Sequence, residues 1–470
     1  MVVCSFHFVR PAWIRNWWST SSWGISVKMF LLFLQKAVFK VGMKSLLIII
    51  FVRMGNGKAL KKFHVSRKCS TFAAMKEMIF TSMPMFVCLF WSVMTALSLV
   101  HEGFRRYNVR LLVFMVTAMM LYWGHCVFFN RETDLVAVSD TIYCTCNLAV
   151  YPLYLIYIAS LTDRSAHRLW RILLLLPTVL GGLVVGCLYG LMSGEETLHF
   201  IETYLYGNTC SGLTGLPLLQ AYVHNACKLV FALQIPYVVW AGLRRIRQFD
   251  EVLNAVYADT EQRTLHPMRI MLWLFLVTSA VSILFNAIGR ALFATSIWRL
   301  AVPSVLFSAL LFAIGYVGYR QRFSILDVEQ DESRADSVEP EAAEHDAEPS
   351  VLRQHIEQLV EGEQLYLRPD LKLMDLVVAL HSNRNYVYNA INREMGISFS
   401  DYINGLRVEH ACRLMHQNHD MLMQEVAEQS GFMSNASFYR NFRRVKGCGP
   451  REYLTTLTDT TQNHGTSLEQ

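Results

Sequence analysis

The chain is 470 residues long, 53% hydrophobic and only 17% charged, with a mean hydropathy of +0.28. That balance sets aside a purely water-soluble protein and points to one that enters a membrane. The net charge of +6 is unevenly spread: residues 1–78 hold thirteen Lys and Arg against the single acid Glu77, which leaves the rest of the chain net negative. The eleven Cys are scattered, without CxxC or zinc-finger spacing, and read as buried free thiols.

Residues 1–74 are basic and aromatic and contain no Asp or Glu. Their apolar run, Met43 to Val52, is short for a bilayer, and Arg53-Met54 supplies no small-residue cleavage site. Three readings stay open: translation starting near Met75, a basic membrane-surface arm, or an extra spanning segment.

From Ile79 onward, seven apolar stretches are each long enough to cross a bilayer, at about 79–100, 110–129, 141–161, 170–192, 217–242, 269–293 and 299–319. Bases follow the odd-numbered spans: Arg105, Arg106 and Arg110; Arg164, Arg168 and Arg171; Arg244, Arg245, Arg247 and Arg263; Arg320 and Arg322. The alternate connections are short or acidic, with Glu132 and Asp134, then Glu195, Glu196 and Glu202. Excess Lys and Arg mark the cytoplasmic side, so the first span starts outside and the seventh ends inside. Residues after the seventh span are therefore expected in the cytoplasm, beneath the inner membrane.

Polar groups cluster in the outer half of the spans: His125, Asn147 with Asp140 just before it, His224 and Asn225, then Asn286 and Arg290. Ionisable groups at such depth are costly and tend to face a bundle interior or a wet cavity. One reading is an outward-facing pocket built from His125, Asn147, His224, Asn286 and Arg290 for a small or anionic ligand. The other is interhelical hydrogen bonding, with Arg290 reaching to the interface.

Between Asp327 and Glu348 there are ten acids and one base, Arg334, interspersed with Ala, Ser and Pro. Residues 323–352 are expected to form a flexible acidic linker that lets the C-terminal segment leave the membrane surface. Val351 to Glu361 reads as a short helix docking on the next domain.

Residues 353–456 carry a two-fold pattern. Asp375 to Leu380 reads as a helix, His381-Ser382-Asn383 as a turn, and Arg384 to Met395 as a second helix with Val387 and Ile391 buried. In the second copy a short helix ends near Gly431, Ser434 caps the next helix, and Phe438 and Phe442 share one face. The copies end alike, Arg393-x-x-Gly396-x-x-Phe399-x-x-Tyr402 against Arg444-x-x-Gly447-x-x-Pro450-x-x-Tyr453, at an offset of 51 residues. A linker helix over Tyr402 to Met415 joins them.

This segment resembles the tandem helix-turn-helix domain of AraC/XylS-type transcription regulators. Ala427, Gly431-Phe432, Ser437-Phe438, Arg440, Phe442, Gly447, Pro450 and Tyr453 carry the resemblance, with Arg407 and Ala411 in the linker helix. It departs from that pattern at Asn435-Ala436 and at Gly449. The resemblance implies double-stranded DNA as partner, with one helix of each unit in a major groove. Arg384, Asn385, Tyr388, Asn389 and Asn392 are the base-reading candidates of the first unit, and Ser434, Asn435, Tyr439 and Arg440 those of the second. Arg443, Arg444 and Lys446 suit phosphates. Residues 351–460 hold twelve bases and thirteen acids, so electrostatics alone supply modest affinity, and a homodimer or paired grooves must add the rest.

No HExxH, Gly-rich phosphate loop or nucleophile elbow occurs, so no enzyme, metal or cofactor is expected. The sequence thus reads as all-α: a seven-helix transmembrane bundle (75–322), the linker, a cytoplasmic two-unit helix-turn-helix domain, and a disordered tail over 457–470. The function expected is a membrane-bound transcription regulator that senses a small-molecule or lipid-phase signal. Two alternatives are a sensor whose head binds a protein partner, and a head freed by proteolysis in the linker.

Overall fold

A computed structural model of the chain describes residues 64–102, 105–130, 133–163, 168–261, 263–288, 297–321, 323–336 and 349–455. Met1–Met75 and Lys76–Gln470 are separate units, and the second holds both the membrane bundle and the C-terminal domain. Residues 1–63, Arg290, the acidic stretch 337–348 and the tail 457–470 lie outside the described residues.

The fold is all-α, as the patterning requires. Among the described residues the extended pairing is a single antiparallel bridge, Tyr257 with Lys372. The membrane part consists of α1 (His64–Glu102), α2 (Arg106–Asn130), α3 (Thr133–Thr162), α4 (Arg168–Leu191), α5 (Gly194–Phe200), α6 (Gly215–Val256), α7 (His266–Ile288) and α8 (Ile297–Arg320). A π-helical turn, Ile201–Tyr206, continues α5. Six of these helices are long and apolar enough to cross a membrane: α1, α2, α3, α4, α6 and α8. The remaining expected span, 269–293, is helical through Ile288, and 289–296 fall outside the described residues.

Helix α3 is the axis of the bundle. Leu148, Tyr154, Leu155, Tyr157, Ile158 and Leu161 are all buried, and α2, α4 and α6 surround it. Tyr151 and Tyr154 pack on Phe275 of α7 at 5.2 and 4.9 Å between ring centroids, and Tyr151 also bonds Ser279. Helix α4 is the opposite case, with Leu169, Ile172, Leu173, Leu176, Val179 and Leu183 all exposed. An apolar exposed face of this kind on a helix long enough to span is suited to contact with lipid. Against α1, Gly315 of α8 seats the Trp91 ring, and a Cβ at Gly315 would fall 2.2 Å from it. Small residues allow this close approach of two spans.

Helix α6 has 42 residues. At the helical rise it is about 63 Å long, roughly twice the hydrocarbon thickness of a bilayer. A bilayer would cover only part of it. The bases Arg244, Arg245 and Arg247 lie beyond its apolar stretch, and Arg245 pairs with Asp163 at 3.1 Å while lying 4.4 Å over the Trp170 ring.

The first half of the expected flexible linker is ordered. Helix α9 (Ile325–Asp336) buries Ile325 and Val328 in the bundle core. Its Asp331 accepts from Tyr257 Oη at 2.7 Å and Lys372 Nζ at 2.9 Å. Net charge misled here, because the apolar i,i+3 pair and one well-placed acid are enough to dock a mostly acidic helix.

The C-terminal part has α10 (Pro349–Glu357), continued by the π turn Gln358–Gly362, then a 3-10 turn Leu365–Leu367. Next come α11 (Leu373–Ala379), α12 (Arg384–Asn389) with the π turn Ala390–Glu394, α13 (Phe399–Gln417), α14 (Met423–Gln429) and α15 (Asn435–Lys446). Ile356 and Val360 are buried in this domain's core, so the segment after Val351 docks as expected.

Candidate functional site

Helices α11–α12 and α14–α15 form two helix pairs, each joined by a short turn, with α13 running between them. In the first pair, Asn383 caps α12 by accepting from the Asn385 N–H at 2.8 Å. In the second, Gly431 stands at φ +80°, and a Cβ there would meet the Leu367 carbonyl oxygen at 2.5 Å. Both the positive φ and the crowding require Gly. Ser434 then caps α15, accepting from Ser437 N–H at 3.0 Å, and Gly447 ends it at φ +78°.

The helix that opens each second element buries one stripe and exposes another. In α15, Ser437, Phe438 and Phe442 are buried, whereas Asn435, Arg440, Arg443 and Arg444 are exposed. Tyr439 is half-buried with its ring 5.6 Å from Phe438, which makes it more a packing residue than a reader. In α12, Asn385 is exposed and Arg384, Tyr388 and Asn389 are half-buried. Asn392, in the π turn, donates to the Tyr388 carbonyl at 3.1 Å, and the Tyr388 ring lies against the domain core. The residue that sequence reasoning missed is Tyr386, 62% exposed on α12. It was not among the candidates, although the phase set by buried Val387 and Ile391 turns position 386 outward.

The intended phosphate contacts divide. Arg443 lies on the exposed face. Arg444 pairs with Asp401, and Lys446 Nζ with Glu409 at 2.6 Å, both on α13. The Glu409 carboxylate holds the Lys446 ammonium above its ordinary pKa.

Arg407 fastens the whole domain. It is fully buried in α13 and donates to the carbonyls of Tyr366 and Arg368, each at 2.7 Å. Its guanidinium lies 5.8 Å from the Phe432 ring of the second pair. Burial pushes it down to about 10, with Asp259 and Asp370 pulling the other way, so it stays charged at neutral pH.

The loop that follows α6 is built into this domain. Ala258 is 1% exposed and belongs to the same apolar core as Leu373, Leu376, Val387 and Phe399. Its N–H donates to the Leu371 carbonyl at 3.2 Å. Its own carbonyl accepts from Ser400 Oγ at 3.0 Å and Asn404 Nδ2 at 2.8 Å. Three residues on, the Glu261 carboxylate accepts from Ser434 Oγ and pairs with Arg440 at 3.2 Å. A cavity of about 210 Å³ lies in this seam, lined by Asp259, Glu261, Asn404, Arg440 and Arg444 among others. No sequence pattern announces these contacts, because Glu261 and Ser434 are 173 residues apart.

In the membrane, the structure splits the expected pocket in two. His125 and Asn147 line a cavity of about 180 Å³ walled by Tyr122, Phe129, Tyr151 and Phe307. Asn147 also lines a second cavity of about 380 Å³, with Asp140, His224, Asn225 and Lys228. Here His224 Nε2 lies 2.7 Å from Asp140 Oδ2, which also accepts from Tyr189 Oη at 2.9 Å. Lys228 Nζ donates to Tyr204 Oη at 3.1 Å, and Tyr204 donates to Asn225 Oδ1 at 2.7 Å. Asn286 belongs to α7, and its side chain, like Arg290, lies outside the described residues.

Comparison with known proteins bears on the C-terminal domain. Residues 376–456 match the family model described as a helix-turn-helix domain. That match agrees with the helix-turn-helix pattern read from the sequence over the same residues. The chain is 32% identical over 84 residues to the HTH-type transcriptional regulator YtdP of Bacillus subtilis, covering 18% of this chain and 11% of that one. It is 29% identical over 90 residues to YisR of the same organism, 19% of this chain and 31% of that one. An HTH-type transcriptional regulator of Staphylococcus aureus is 27% identical over 108 residues, 23% of this chain and 14% of the relative. The chain thus spans under a third of the length of these relatives. No solved structure matches the chain.

Proposed function

We propose that this chain is a multi-pass inner-membrane transcription regulator whose cytoplasmic head reads double-stranded DNA with two helix-turn-helix units. Seven spans, α7 among them, anchor the head and receive a signal from outside or from the lipid. Arg384, Asn385 and Asn389 of the first unit and Asn435 and Arg440 of the second read base edges, and Arg443 meets phosphate. A second copy of the chain, giving a homodimer, supplies the affinity that a near-neutral head lacks.

One observation carries this reading. Glu261, on the loop that leaves membrane helix α6, holds Ser434, the N-cap of α15, and Arg440, midway along that helix. A carboxylate there stands where a DNA phosphate or a guanine edge would compete for the same groups. The membrane part thereby holds the second unit in a state that favours release of DNA, and a shift of α6 alters that hold. This is a two-state element whose balance both ends can bias.

The test uses the full chain in lipid nanodiscs against fragmented genomic DNA at two salt concentrations. A recurring site that survives raised salt is the expected result. Arg440→Ala relaxes particular positions within it. Glu261→Ala tightens binding roughly two- to fivefold, the scale of one part-exposed ion pair. Binding that vanishes with salt and enriches no site overturns direct readout.

A further inference from the structure

The outer ends of α3 and α6 bring together Asp140, Cys144 and His224, 7%, 8% and 4% exposed. One ligand atom from each lies within 4.8 Å of the others. Asp140 and Cys144 are i,i+4 on α3 and share a face. Their proximity alone proves little, because Asp–His pairs are common. The decisive detail is the count of donors.

His224 Nδ1 lies 2.8 Å from the carbonyl oxygen of Gln220. A carbonyl only accepts, so Nδ1 must carry the proton. A neutral imidazole then presents a lone pair at Nε2. That lone pair points at Asp140 Oδ2, 2.7 Å away, which is already accepting from Tyr189. Two acceptors face each other at hydrogen-bond distance inside a membrane bundle, where opposed lone pairs and buried charge are expensive. The arrangement is stable only with one further positive charge between them, a second proton or a metal cation.

Three features separate the two. A thiol completes the triangle, and a proton shared by Asp and His has no need of it. The Gln220 carbonyl and the Tyr189 hydroxyl fix the ring and the carboxylate from behind, as outer partners of metal ligands do. The rings of Phe200 and Tyr204 pack on His224 at 5.4 and 5.8 Å and close one side, while the 380 Å³ cavity lies on another. We propose that Asp140, Cys144 and His224 form a site for a divalent transition cation of the zinc class, with its fourth position open to that cavity. Mixed oxygen, sulfur and nitrogen donors suit this class, and three protein ligands with one open position is its exchangeable form. Binding displaces the thiol proton, which leaves to solvent through the cavity.

The experiment reads metal, not DNA, so its failure leaves the regulator reading untouched. Purified full chain in detergent, stripped of metal, is titrated with Co²⁺. The expected result is one Co²⁺ per chain with visible ligand-field bands and a near-ultraviolet thiolate charge-transfer band, both reversed by Zn²⁺. Cys144→Ser removes the charge-transfer band. Cys227→Ser, in the same cavity wall, leaves the spectrum unchanged. Tyr189→Phe, which keeps all three ligands, weakens affinity about 10- to 100-fold. A monodisperse wild-type chain that takes up no stoichiometric Co²⁺ or Zn²⁺ overturns the proposal. So does a charge-transfer band that survives Cys144→Ser.

Discussion

The two helix-turn-helix units look like copies in the sequence, yet the molecule treats them differently. The first unit shares its apolar core with the membrane loop: Ala258 is buried beside Val387, Ile391 and Phe399. The second has a core of its own, built from Val408, Ala411, Met415, Val426, Phe432, Phe438 and Phe442. It meets the loop through the part-exposed carboxylate of Glu261. Burial of apolar surface is worth kilocalories, whereas one part-exposed ion pair is worth about a kilocalorie or less. The two copies are thus held unequally by the loop, the first through shared apolar burial and the second through one carboxylate.

The largest effect that tests this difference belongs to Arg407, which serves both units. Arg407→Ala strands the carbonyls of Tyr366 and Arg368 and removes the guanidinium beside Phe432. With about 1–3 kcal/mol for each orphaned buried group, the head loses on the order of 3 kcal/mol. Thermal unfolding of the full chain, followed by protease sensitivity of the head, measures it. Equal loss in both units is expected. Cleavage confined to the second unit would show that Arg407 serves that unit alone.

A smaller loss, and a more selective one, comes from Asn404→Ala. Its amide is one of two donors to the Ala258 carbonyl, and Ser400 remains as the other. The expected cost is about 1 kcal/mol. Hydrogen exchange should rise at 257–261 and in α11 and stay unchanged in α15. Equal loosening of α15 would mean that the second unit also depends on the anchor, and the contrast between the units would collapse.

Much of this was legible beforehand, and the reasons it stopped are physical. Gly431, Ser434 and the Phe438–Phe442 pair announce a turn, a cap and a buried stripe, because each is a local requirement of the backbone. The apolar runs announce spans for the same reason. The seating of Ala258 in a distant core was invisible, since an alanine in a loop carries no local signal. The order of α9 was hidden by its acids. The Asp140–His224 contact was half visible: both residues were noted as polar groups at similar depth, but nothing short of the packing of α3 on α6 brings them within 2.7 Å. Tyr386 was not among the candidates, although the buried pair Val387 and Ile391 fixes the phase that exposes it.

The smallest effect concerns pH and the joint between the units. His410, on α13, is half-buried, with Nδ1 3.1 Å from Tyr366 Oη and 3.3 Å from the Arg413 guanidinium. Burial, then the Arg413 charge, lowers its pKa below the ordinary histidine value. The folded head thus resists a proton that the unfolded chain accepts. Stability from this group is present above the unfolded value near 6.5 and is lost as pH falls through it toward the lower folded value. Unfolding midpoints of the full chain should drop between neutral and mildly acid pH, and His410→Gln should flatten that part of the drop. Tyr366 bridges His410 to the carbonyl that Arg407 holds, so the loss should appear where the 3-10 turn meets α13. A pH slope unchanged by His410→Gln would assign it to other groups and leave the joint between the two units insensitive to protons.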